Sequence, residues 1–340
     1  MAQRRFGSIT PLFSSEITPP RISFPGGTVP PPPPDAPESG LNQIFFGPNG
    51  LRAGWRLLIF AAIVAIFIEG LRYGATLLSH GRPPQRGLSA TRALAGDGAL
   101  FVLLLMASWI MTKIEGRTIG DYGLPGRKAF QKEFWQGAIL GFLAMTILLV
   151  TLRVLGVFSF GTFALRGSAL AKYATIWGAA FVLVGFTEEF FIRGYPLFTL
   201  TTGIGFWPAA ILLSIAFGAL HLGNGGEDWL GALSAGSAGL LFCAILRRTG
   251  DLWMAIGFHA AWDWAETFFY GVPDSGQVTP GHMLNPTFHG PKLLTGGSVG
   301  PEGSVLVFAI LILSWLFFHF WLPDAKYPNP AALGRHPHTS

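Results

Sequence analysis

Glu188, His221, His259 and Asp263 are side chains that can take up a proton or polarise a water molecule, and each lies in an apolar stretch. Glu188 belongs to G-F-T-E-E-F-F-I-R-G-Y, residues 185–195, together with Glu189 and Arg193. Phe217 and His221 close F-G-A-L-H, while His259 and Asp263 frame H-A-A-W-D. A separation of four residues puts each of these two pairs on one helix face. An ionised side chain at the centre of a membrane helix costs about 2.5–3.5 kcal/mol on insertion scales, so three charges in one apolar run call for a function.

Successive helical residues are about 100° apart, which prevents Glu188 and Glu189 from facing the same place. Arg193, four residues beyond Glu189, falls within about 40° of it and makes an intrahelical ion pair with it. Glu188 is left facing elsewhere. A buried, unpaired carboxylate has its pKa raised by desolvation, which suits a general base when a nearby donor partly restores its charge.

The elements that must hold these residues are membrane helices. Half of the residues are hydrophobic and 12% are charged, where soluble domains carry about 25% charged residues. The net charge of +5 is scattered through short loops, which fits membrane topology and speaks against a nucleic-acid partner. Cys243 stands alone in an apolar run, so neither a disulfide framework nor a thiolate metal cluster is expected.

Residues 1–50 hold a proline-rich stretch that cannot bury a core, and read as a disordered cytoplasmic tail. No apolar segment follows closely on Arg4 and Arg5, so the first membrane helix is expected to act as its own signal. Against the roughly 20 residues needed to cross a bilayer, eight runs are found: Trp55 to Leu78, Leu94 to Ile114, Phe134 to Phe158, Ala169 to Leu200, Phe206 to Leu222, Trp229 to Leu246, Leu252 to Tyr270 and Ser304 to Leu322. The expected fold is an all-α polytopic membrane helix bundle, residues 51–323, of about eight transmembrane helices around an intramembrane polar cavity. A short tail, 324–340, follows. Lys and Arg are in excess on the side of the N-terminal tail, which predicts a multi-pass cell-membrane protein with both termini cytoplasmic.

At about 1.5 Å of rise per residue, Glu188, His221, His259 and Asp263 lie roughly 10–22 Å below the cytoplasmic helix ends, within a hydrocarbon core about 30 Å thick. Glu69 and Arg72 can pair along the first helix. Gly231, Ala235 and Gly239 suit close helix contact. Asp97 reads as a helix-start or interfacial carboxylate, and Glu227, Asp228 and Glu266 as solvated groups near helix ends or on an outward face.

Glu188-Glu189-x-x-x-Arg193, Phe217-x-x-x-His221 and His259-x-x-x-Asp263, in this order on successive helices, resemble the CPBP family of intramembrane proteases, which includes the type II CAAX prenyl endopeptidases. The resemblance spans about residues 125–270. It implies a conical intramembrane cavity, and endopeptidase activity on a membrane-associated peptide or protein with a glutamate-activated water as nucleophile. Glu188 would be the base and His221 would hold or activate the water. His259 and Asp263 would stabilise the oxyanion, where a positioned donor is worth about 2.7–4 kcal/mol. Glu189 and Arg193 would hold the site or meet the substrate. Asp263 departs from the Asn usual in the eukaryotic enzymes, because Asp donates only when protonated; it could be neutral, orient His259 or ligate a metal.

Two other readings of these residues stand beside this one. His221, His259 and a carboxylate form a known type of catalytic zinc set, so zinc is the alternative to a cofactor-free site, although H-E-x-x-H is absent. A non-enzymatic immunity or transport protein could also line a pathway with charges at this depth.

Overall fold

The computed structural model describes residues 40–47, 50–78 and 89–328. Most of the proline-rich tail and the end of the C-terminal tail therefore lie outside the described residues. The chain divides into two units, 1–43 and 44–340, and everything below concerns the second.

Nine helices carry the architecture of the described residues: α1 (Ala53–Leu78), α2 (Ala90–Glu115), α3 (Lys132–Val154), α4 (Ser168–Arg193), α5 (Tyr195–Ile204), α6 (Phe206–His221), α7 (Trp229–Thr249), α8 (Trp253–Asp263) and α9 (Leu306–Trp321). The chain is an all-α polytopic bundle. Five stretches, α1, α2, α3, α4 with α5, and α7, are long and apolar enough to cross a membrane; α6 and α9 are shorter apolar helices. Large apolar side chains such as Ile66, Val102, Ile139, Ile215 and Phe320 stand exposed on the outside, as expected where lipid is the solvent.

Each expected apolar run contains a helix, with three differences. The fourth breaks at Gly194, because Pro196 has no N–H to continue the ladder and serves instead near the start of α5. The third ends at Val154, and F-S-F-G-T-F, whose alternation is that of a strand, forms β1 (Phe158–Phe163), antiparallel to β2 (Leu284–Phe288). The seventh changes pitch after Asp263 into a wide π-type turn, Trp264–Tyr270. Such turns often accompany functional sites.

Two features fix α8, which carries His259. Hypothetical Cβ atoms on Gly137 and Gly141 of α3 would fall 2.0 and 2.1 Å from the carbonyl oxygens of Met254 and Phe258, and one on Gly257 would fall 2.0 Å from that of Phe134. The two helices thus cross backbone on backbone, the arrangement that small residues permit in lipid. Beyond α8, Trp264 donates its indole N–H to the Ala174 carbonyl of α4 at 3.0 Å, and the Tyr270 hydroxyl bonds Thr146 of α3 at 2.8 Å. The small residues of α7 divide their work: Gly236 meets Gly218 of α6, whereas Gly239 leaves room for the Arg193 guanidinium.

At the other end of the bundle, Glu115 closes α2 and gathers Arg56 at 2.9 Å, Tyr122 at 3.1 Å and the Tyr195 hydroxyl, tying α1, α2 and α5 together. Glu69 and Arg72 form the expected i,i+3 pair at 2.9 Å, exposed on α1.

Candidate active site

Glu189 and Arg193 are fully buried and paired at 2.8 Å, as their spacing predicts. The guanidinium lies against two aromatic rings, its Cζ 4.4 Å from the Phe217 ring centroid and 5.4 Å from that of Phe242. Desolvated cation–π contacts of this kind contribute about 2 kcal/mol. Phe217 thereby acquires a concrete place, as the ring against which Arg193 rests.

The ion pair is more than a fastening between turns of α4. Glu189 Oε1, the oxygen that meets Arg193, also accepts from His259 Nδ1 at 2.9 Å. A carboxylate in an ion pair can only accept, so Nδ1 carries the proton and the ring is held in one orientation. Its other edge, Nε2, faces Asp263 Oδ2 at 3.5 Å and Glu188 Oε2 at 3.8 Å. Phe242 stacks on the imidazole with centroids 5.2 Å apart.

Glu188 points away from this buried pair, its side chain about one-third exposed at 34%. It lines a cavity of about 210 Å³ together with His221, His259, Asp263 and Asp97. His221 donates its own Nδ1 proton to the Phe217 carbonyl at 2.9 Å; since a carbonyl only accepts, Nε2 is the nitrogen left with a lone pair when the ring is neutral. The four residues marked by type and spacing therefore share one cavity, which Phe217 also lines, with the buried Glu189 and Arg193 behind it.

Two carboxylates were misplaced by sequence reasoning. Asp97 lies inside α2, beyond its first turn, and faces the cavity. Glu266 is fully buried within the wide turn, where one of its carboxylate oxygens comes within 4.8 Å of ligand atoms on Asp274 and Glu302. Asp274 and Glu302 line the same cavity as Glu188. Burial, and next the Glu302 carboxylate, push the Asp274 carboxyl up to about 7. Glu227 and Asp228 do sit at a helix end, where Asp228 caps α7 and pairs with Lys292 at 2.8 Å.

The chemistry within reach is hydrolytic: a carboxylate and two imidazoles, His259 among them with its Nδ1 proton held by Glu189, face a cavity that can hold water. This class of site finds its counterpart in one comparison. Residues 170–265 match the family model described as type II CAAX prenyl endopeptidase Rce1-like. The match runs from α4 to just beyond Asp263 and contains all seven motif residues, so over this stretch the resemblance to CPBP-type CAAX proteases is borne out. Neither a curated protein nor a solved structure matches the chain.

Proposed function

We propose that the chain is an intramembrane endopeptidase in which Glu188 activates a water molecule against a peptide bond of a membrane-associated substrate. The observation that carries this reading is the division of labour in one cavity. Glu188 is accessible there and His221 offers Nε2, while His259 is locked from behind by Glu189 and Arg193.

Water held between Glu188 and His221 gives a proton to Glu188 as its oxygen bonds to the carbonyl carbon. The oxyanion of the tetrahedral intermediate is met by His259, whose Nε2 donates when the ring is doubly protonated. Glu188 then returns the proton to the leaving amine as the carbon–nitrogen bond breaks. Asp263, beside Nε2 at 3.5 Å, acts through His259: it orients the imidazole and balances its charge. Residues 51–323 form the protease domain, embedded in the cell membrane with both termini cytoplasmic, and the chemistry described uses protein groups alone.

The test is cleavage of a membrane-presented peptide by the full chain in proteoliposomes. Glu188→Ala and Glu188→Gln should each lower kcat by at least about 10²-fold, with thermal stability unchanged. Cleavage at the wild-type rate by either variant would overturn the reading.

A further inference from the structure

The three carboxylates at the far end of α8 form a second assembly that peptide hydrolysis does not use. Glu266 comes from the wide turn that extends α8, Asp274 from the loop after it, and Glu302 from the turn Pro301–Gly303 ahead of α9. Each offers one oxygen within 4.8 Å of the others. Two ligands on opposite sides of a cation at about 2.3–2.6 Å are separated by a comparable distance.

Proximity of acidic groups is not enough; the neighbouring hydrogen bonds supply the direction. Glu302 Oε1 accepts the Trp262 indole N–H at 2.9 Å and Oε2 the Ser275 hydroxyl at 3.1 Å. Thr267 donates to Asp274 Oδ2 at 2.9 Å. These are the outer contacts that hold ligating carboxylates in place. Glu266 has none. It is wholly buried, its oxygen is turned into the group, and neither carboxylate oxygen has a hydrogen-bond partner. A buried carboxylate in this state costs several kcal/mol unless something neutralises it. No lysine or arginine pairs with any of the three among the described residues, and Asp263 adds a further carboxylate to the cavity wall.

We propose that Glu266, Asp274 and Glu302 bind one hard divalent cation, of the Mg²⁺, Ca²⁺ or Mn²⁺ type, beside the part of the cavity that Asp274 and Glu302 line. An all-oxygen donor set selects this class over zinc, which favours imidazole and thiolate. All three ligands lie outside residues 170–265, the stretch that matches the protease family. Neither His221 nor His259 belongs to the set. The cation ties the end of α8 to the loop and to the start of α9, bracing the helix that carries His259 and Asp263.

The full chain, treated with chelator and reconstituted in detergent, is titrated separately with CaCl2, MgCl2 and MnCl2. Binding is read by calorimetry and by thermal unfolding. About one equivalent of at least one cation should bind and raise the unfolding temperature. Glu266→Gln, which keeps the shape and removes the charge, should weaken binding by at least about tenfold, and Glu302→Gln serves the same purpose should the first variant fail to fold. Glu188→Ala should bind as wild type, which separates this site from the hydrolytic one. No saturable binding by wild type, undiminished binding by the folded Gln variant, or loss of binding in Glu188→Ala would each overturn the proposal.

Discussion

His259 Nδ1 donates a hydrogen bond to Glu189 across 2.9 Å, on the same carboxylate oxygen that holds Arg193 at 2.8 Å. One buried oxygen thus joins a charge pair within α4 to an imidazole on α8. The arrangement turns a costly buried ion pair into a device for aiming a ring.

Glu189→Gln should separate aiming from charge. An amide oxygen can still accept from His259, but the negative charge opposite Arg193 is gone. The expected result is a fall in kcat of about 10²-fold with KM little altered, and a shifted pH profile. Glu189→Ala leaves Arg193 buried and unpaired and should cost about 3–5 kcal/mol of stability. Peptide cleavage and thermal unfolding measured side by side check both expectations; a purely structural Glu189 would change stability without moving the pH profile.

The α3–α8 crossing should be intolerant of a single methyl group. Gly141→Ala places carbon where the Phe258 carbonyl oxygen stands, at 2.1 Å, and should cost about 1–3 kcal/mol or more. Gly74→Ala on α1, with nothing within 4 Å of the new carbon, should be neutral or stabilising by about 0.5–1 kcal/mol. Thermal unfolding of the two variants in the same detergent makes the comparison.

Asp274 predicts a pH dependence with a definite sign. Its carboxyl is pushed from 3.8 up to about 7 in the folded chain, so between these values the folded state holds a proton that the unfolded state has released. Stability from this group is complete below about pH 3.8 and is lost as pH rises through about 7. In chelator the unfolding temperature should fall over that interval more steeply for wild type than for Asp274→Asn, and a bound divalent cation should flatten the wild-type slope.

The candidate site residues were legible because their signals are local. Glu188, His221, His259 and Asp263 stand out as ionisable groups in apolar runs, and spacing of four residues pairs Glu189 with Arg193 before any tertiary structure is known. The third partner of Glu189 was not legible, since it depends on how α4 and α8 are rotated about their axes. Glu266 was misread for a related reason. Its burial is produced by the wide turn at Trp264–Tyr270 and by a loop that folds back from Asp274 to Glu302, and neither has a periodic signature. Pro196 and the alternating residues of β1 did carry local signals, but both lie at the margins of long apolar runs whose hydropathy dominates the reading.

The glycine-lined seam between α3 and α8 divides the molecule by its capacity for variation. Backbone has no rotamers with which to absorb an intruding atom, so the seam along Met254, Gly257 and Phe258 admits almost no change. Asn224 and Gln277, which line the cavity from connecting segments, can exchange side chains without displacing the imidazole. Variation can therefore gather at Asn224 and Gln277 while Glu188, His221 and His259 stay where they are.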